Sequence, residues 1–267
     1  MPSLRTLADV ITPEKQADGT FTIDVPDGFQ QGRGAYGGLV LGALANAMVA
    51  SENDDTRLLR SLTGEIPAPL PVGRATIVVS PVRRGSGAST VMARIEADGI
   101  VCGVATGVLG RARGFEATLA PPRPPPPAFA SAQEVPVGPP FGPRFATMLE
   151  YRPTGPLPFT GVEPAVCEGW VRVRERGGVL RFADLVCLAD AYWPAVFTRL
   201  AAPRPMATIT FAFQALVDPR TLDPDAPLFH AARALGNDDG YVAEIRELYT
   251  ESGRLVGLNQ QTFAVLG

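Results

Sequence analysis

The chain has one histidine, His230, and three cysteines, Cys102, Cys167 and Cys187, in 267 residues. A single histidine excludes a multi-histidine metal site and weakens any triad that needs an imidazole base. The cysteines are odd in number, far apart, set in apolar runs and without CxxC spacing, so they read as reduced core thiols of a cytoplasmic protein. Basic residues are not in excess: 24 Lys and Arg stand against 27 Asp and Glu, which gives no footprint for nucleic acid. The opening MPSLRTLADV lacks the apolar core of a signal peptide. Gly38 to Ala50 is apolar but shorter than the roughly 20 residues a bilayer span requires. The expectation is a soluble, cytoplasmic chain with no cofactor, no metal, no nucleic-acid partner and no membrane segment.

What is present is apolar and punctuated. Hydrophobic residues make up 46 % of the chain, enough for a sizeable core, and the length allows one large domain or two of roughly 100 to 150 residues. Thr20–Val25 alternates like a half-buried strand and turns at Pro26-Asp27-Gly28. GRGAYGGLVLGALANAM follows, with Gly32, Gly34, Gly37 and Gly38 opening a helix of small and apolar residues that lets another backbone or a ligand approach closely. These glycines match neither a dinucleotide fingerprint nor a phosphate loop, because consecutive strands follow and no GK[ST] is present. Strands are expected at Leu58–Ile66, Arg74–Pro81, Ser89–Ala97 and Ile100–Leu109, the last two joined by an Asp98-Gly99 hairpin turn. The proline-dense stretch of residues 113–145 forbids helix and central strand and reads as a semi-rigid linker. It divides an N-terminal unit, residues 1–112, from a C-terminal unit, residues 146–267.

The second unit repeats the first: strands at Ala146–Arg152 and Ala165–Arg174, a buried helix over Arg181–Leu200, and four strands from Met206 to Val265. LANAM at Leu44–Met48 is echoed by LADAY at Leu188–Tyr192, and ADGIVCGVATGVL by ESGRLVGLNQQTF. Two copies of one α+β unit, each too small to bury its helix alone, are expected to pair face to face. Aligned, the copies set Asp190 against Asn46, Thr208 near Ser61 and Gln261 against Gly107. Asp190 lies in an apolar run, where an ionised carboxylate is costly unless bonded. It is either a core acid with a polar partner or a functional group, and only the second copy carries an ionisable side chain there. Pro194 cannot donate to the Asp190 carbonyl, so the helix should kink or end nearby. Thr208 is an ordinary strand threonine unless it serves a site, and Gln261, if inward, needs partners such as Asp190. Asp225 and His230 have a D-x4-H spacing found in hydratases, but here it leads into a strand and reads as coincidence.

AYGGLVLGALANAM, RSLTGEIPAPLPVG, LADAYWPAV, ATITFAF and GRLVGLNQQ, in this order, resemble the acyl-CoA thioesterase II family. The resemblance implies a double hotdog fold: two tandem antiparallel sheets, each wrapped around a central helix. It also implies hydrolysis of an acyl-CoA thioester by a water held by Asp190, Thr208 and Gln261. The amides of Gly37 and Gly38 at the helix opening are candidates to stabilise the oxyanion. Arg83, Arg84 or Arg111 are candidates to meet the phosphates of CoA. TFAFQALVDP lacks the His and Arg common in the family before its proline, a departure that bears on substrate more than on fold. A non-hydrolytic acyl-CoA-binding protein and an enoyl-CoA hydratase are the alternative readings. Hotdog sheets often pair edge to edge, which makes a homodimer the expected assembly.

Overall fold

The computed structural model describes residues 5–115, 117, 119, 123–175 and 178–266. The chain order is α1 (Leu7–Val10), β1 (Glu14–Lys15), β2 (Phe21–Val25), β3 (Gln30–Gln31), β4 (Gly34–Ala35), α2 (Gly37–Ser51), β5 (Leu58–Glu65), β6 (Gly73–Arg84), β7 (Ala88–Ala97) and β8 (Ile100–Gly110). The second half continues with β9 (Leu149–Pro153), β10 (Val166–Val173), α3 (Phe182–Ala189), β11 (Met206–Ala215), β12 (Leu228–Asp238), β13 (Tyr241–Tyr249) and β14 (Leu255–Val265). Alternating burial along β7 and β13 has the period-2 pattern of strands with one face on a core. Asp98 and Gly99 both adopt positive φ, as a tight β7–β8 hairpin turn requires.

Twelve strands form one continuous sheet in the order β1-β2-β6-β7-β8-β5-β11-β14-β13-β12-β10-β9. The order is palindromic: each strand of the first half has its counterpart at the mirrored place in the second. The halves therefore join edge to edge through antiparallel β5 and β11, with Thr210 opposite Glu65 and Gln214 opposite Ser61. This corrects the expectation of two sheets packed face to face. Main-chain bonding across β5 and β11 abolishes two exposed edges at once. The helices α2 and α3 pack against one another as a second contact between the halves.

That contact depends on glycine. A Cβ at Gly42 would lie 2.9 Å from Cys187 Sγ, and one at Gly38 would lie 2.9 Å from Cys187 Cα. The small-residue stripe of α2 is thus filled by α3. Ten residues of α2 are buried, so no face of this helix is left to solvent over most of its length. All three cysteines are free and buried.

Two elements sharpen the sequence reading. The segment Arg181–Leu200 is not one helix: α3 ends at Ala189, Asp190 caps it, and a short 3-10 turn runs from Ala195 to Arg199. Pro194 is the cause, since position 194 has no amide for the carbonyl of Asp190. The proline-rich segment does not hang as a spacer along its described length. Trp170 Nε1 donates to Pro127 O at 3.0 Å, Arg152 Nη1 donates to Ala132 O at 3.1 Å, and Arg123 pairs with Glu168 at 2.9 Å. It straps the second half of the sheet on the face where Trp170, Phe229 and Tyr249 are buried, with Phe129 against them.

Candidate functional site

The C-terminal end of α3 meets the N-terminal end of α2, and a carboxylate sits at the junction. Asp190 Oδ2 accepts the Gly38 amide at 2.7 Å, and Asp190 Oδ1 accepts Gln261 Nε2 at 2.9 Å. A negative charge is unfavourable at a helix C-terminus and favourable at an N-terminus, so α2 supplies the polarity that α3 denies. Gly37 is needed for this approach: a Cβ there would lie 2.8 Å from Asp190 Oδ2. Thr208 Oγ1 donates to Gln261 Oε1 at 3.1 Å, which fixes the Gln261 amide with its nitrogen toward the carboxylate. Asn259 Oδ1 accepts from the same nitrogen at 2.9 Å. The three residues singled out from the sequence thus form one chain of side-chain bonds, Thr208 to Gln261 to Asp190, drawn from β11, β14 and the end of α3.

Asp190 and Gln261 are buried and Thr208 is half-buried, so Thr208 is the member of the chain nearest to open surface. Burial raises the Asp190 carboxyl above its ordinary value of 3.8, against the opposing pull of Arg246, Gln261 and the Gly38 amide. A carboxylate with a raised pKa is a better base than a free one. Its remaining lone pairs can accept from a water, since a carboxylate offers about four acceptor positions.

Strand register shows how differently the first half is built at the same place. Gln261 lies opposite Phe211 and Glu244, whereas Gly107 lies opposite Leu62 and Val91. The β5–β8 ladder is bulged after Leu59, opposite Leu109, and the β11–β14 ladder is bulged after Thr208, opposite Phe263. Leu59, rather than Ser61, is therefore the counterpart of Thr208; the shared bulge was not visible in sequence. A Cβ at Gly107 would lie 2.5 Å from Met48 Sδ and 2.9 Å from Leu59 Cδ1. Hydrocarbon and thioether thus occupy the volume that holds the Gln261 side chain in the other half. Asn46 is spent on the Ile11 carbonyl at 2.7 Å.

The oxyanion expectation is corrected at Gly38, whose amide is taken by Asp190. Sequence reading also missed Glu244 and Arg246, both buried in the core on β13. Their signal was available: in YVAEIRELY the inward positions are Val242, Glu244, Arg246 and Leu248, two charges on an apolar face. His230 and Asp225 do not form a pair. His230 is buried and stacked on Tyr192 at 4.8 Å, while Asp225 is on an exposed turn. Burial holds the His230 imidazole well below its usual range, hence neutral.

A cavity of about 670 Å³ opens beside Asn46, Leu59, Arg57 and Phe182, and another of about 280 Å³ lies between α1 and Arg181. Neither includes Asp190. The larger cavity occupies the place related to the Asp190 site by the internal repeat, where Arg181 and Phe182 stand for Gly37 and Gly38. Of the arginines expected near CoA, Arg84 and Arg111 are paired with Glu52 and Asp54 at 2.7 Å. No cluster of metal-ligating side chains occurs among the described residues, and no described helix is long and apolar enough to cross a membrane.

The mirrored strand order around two packed helices is the double hotdog fold, and comparison with known proteins gives its family. Residues 25–110 match the acyl-CoA thioesterase N-terminal domain and residues 120–265 match the acyl-CoA thioesterase C-terminal domain. The chain belongs to the acyl-CoA thioesterase family, a group of thioester hydrolases. Its fold is similar to that of a conserved hotdog protein of unknown function from Alicyclobacillus acidocaldarius, at 25 % identity and a TM-score of 0.88 over 98 % of both chains. It is also similar to acyl-CoA thioesterase II TesB2 from Mycobacterium marinum, at 17 % identity and a TM-score of 0.77, covering 97 % of this chain and 98 % of that one. The dehydratase domain of RzxB from Pseudomonas fluorescens shares the fold more distantly, with a TM-score of 0.56 at 11 % identity over 94 % of this chain and 96 % of the other. A search of curated proteins returned no match.

Proposed function

We propose that this chain hydrolyses the thioester of an acyl-CoA at Asp190, with Thr208 and Gln261 orienting the attacking water. Water adds to the thioester carbonyl carbon while Asp190 takes its proton; the carbon–sulfur bond then breaks, and the CoA sulfur leaves and acquires a proton. Positioning by Thr208 and Gln261 lowers the entropy cost of bringing water onto the carbonyl. The raised basicity of Asp190 supplies the proton acceptor. With the Gly38 amide committed to Asp190, the Gly37 amide on the same first turn of α2 is the oxyanion donor in this reading.

One observation carries the proposal. A continuous polar chain, Thr208–Gln261–Asp190, crosses an apolar interior in one half, and the repeat-related positions in the other half are Leu59, Gly107 and Asn46. A core that needed only to fold could use the first-half solution twice. The test is turnover of acyl-CoAs of several chain lengths, followed with a thiol reagent. Wild type is expected to release CoA on at least one chain length, and Asp190→Asn to lose that release while folding normally. Full activity in Asp190→Asn, or an acyl-CoA that binds and is recovered intact, would overturn it.

A further inference from the structure

Asp190 is not the only buried charge in its neighbourhood. Arg246 and Glu244 are inward neighbours on β13, both essentially without solvent access. Arg246 Nε donates to Glu244 Oε1 at 2.7 Å, and Glu244 Oε2 accepts the Ala195 amide at 2.7 Å. Arg246 Nη1 donates to the Ala189 carbonyl at 3.0 Å and lies 3.6 Å from Asp190 Oδ1. The pair therefore holds the chain just before Asp190, at Ala189, and just after Pro194, at Ala195. Those are the backbone groups that the end of α3 and the start of the 3-10 turn leave without helical partners.

The first half again gives the control. Glu244 lies opposite Gln261 as Val91 lies opposite Gly107, and Arg246 lies opposite Asn259 as Ala93 lies opposite Ala105. Val91, Ala93 and Ala105 are buried and apolar. A buried ion pair is weak support for stability, since apolar residues of similar volume often do as well. The first half shows the apolar alternative packed into the same fold. The ion pair occurs only in the half that carries the buried carboxylate.

We infer that Arg246, held by Glu244, is a positioning residue for hydrolysis, fixing the backbone on both sides of Asp190 and keeping its carboxylate ionised. The inference rests on Asp190 being the base proposed above. The ionisable groups around Asp190 are Arg246 and Glu244 on β13, Tyr36 before α2, Tyr151 on β9 and Cys187 on α3. Burial raises both tyrosines and the thiol, so they stay neutral, and His230, which faces Arg246, is also neutral. Arg246 is thus the sole cation among these groups, and the opposing charge of Glu244 bonds its Nε rather than the Nη1 that lies beside Asp190.

The experiment compares Arg246→Lys with the double variant Glu244→Gln, Arg246→Gln, which leaves no unpaired charge in the core. Two quantities are followed: the acid limb of kcat/KM on acyl-CoA, and the carboxyl-carbon NMR resonance of Asp190, assigned by its loss in Asp190→Asn. In the double variant both are expected to move to higher pH by about one unit or more, the usual effect of losing an adjacent opposite charge. Arg246→Lys should lie close to wild type. An Asp190 titration unchanged in the folded double variant would overturn the assignment. If no thioester is hydrolysed by wild type, the hydrolytic reading fails while the resonance still decides whether Arg246 governs Asp190.

Discussion

The two halves solve one packing problem in two ways. Beneath the joined sheets, the first half fills the space behind its helix with Met48, Leu59, Val91 and Ala93, and leaves Gly107 without a side chain. The second half fills the corresponding space with Asp190, Thr208, Gln261, Glu244 and Arg246, joined by hydrogen bonds and ion pairs. The same strand order, bulges and pairing surround both. Since the apolar version folds, the polar version is not required by the fold. Buried polar groups that architecture does not demand point to chemistry. The two halves also depend on one another, because the carboxylate of one is held by the helix start of the other.

The contrast can be broken most sharply by giving the second half the residue of the first. Asp190→Asn is expected to lower hydrolysis by about 10²- to 10⁴-fold, the range of a lost general base. The same variant tests the burial of the charge. Because the folded carboxyl sits above its ordinary 3.8, the folded chain holds this proton more tightly than the unfolded one. That contribution to stability is complete below pH 3.8 and is lost as pH rises through the raised value. The stability of wild type relative to Asp190→Asn should therefore fall from about pH 4 upward, as measured by urea unfolding across pH. A flat difference would mean that Asp190 is not raised.

Thr208→Ala should reduce turnover by a smaller factor than Asp190→Asn. It removes a bond to Gln261 but leaves the Asp190 carboxylate in place, and the check is kcat at saturating acyl-CoA. The helix junction comes next. Gly38→Ala places a Cβ 2.6 Å from Tyr36 Cε2 and 2.9 Å from Cys187 Cα, a backbone contact that cannot yield easily. It should destabilise by about 1–3 kcal/mol in thermal or urea unfolding, as overpacking does. Gly107→Gln, which copies the second half into the first, meets Met48 and Leu59 and should cost about the same without adding activity. The smallest effect is expected for Asn46→Asp, which gives up the bond to the Ile11 carbonyl for about 1 kcal/mol and yields no second site, since Leu59 and Gly107 remain.

Much of this was readable before the chain was folded. Alternation and turn residues gave the strands, because a side-chain period of two is local, and the echo of LANAM in LADAY gave the repeat. Asp190 stood out as an acid in an apolar run, and the family resemblance joined Thr208 and Gln261 to it. Glu244 and Arg246 went unremarked although they alternate with Val242 and Leu248, because which face of the strand is buried is settled only by the layer packed against it. The Gly38 amide passed for an oxyanion donor because nothing local to α2 announces a carboxylate arriving from 152 residues away. Pro194 announced a kink or end within Arg181–Leu200, but where the helix stops was not local: Arg246 and Glu244 grip Ala189 and Ala195 on either side of the break.

By itself the sequence determined the local terms: which segments pair as strands, where glycine lets helices touch, and which half can carry a base. Tertiary structure decided the long-range ones. Whether the sheets stack or join, which bulge sets Thr208 opposite Phe263, and which groups share the charge of Asp190 all depend on contacts between distant segments. Hydrogen-bond register and burial are properties of the assembled sheet, and only there does an acid acquire its partners.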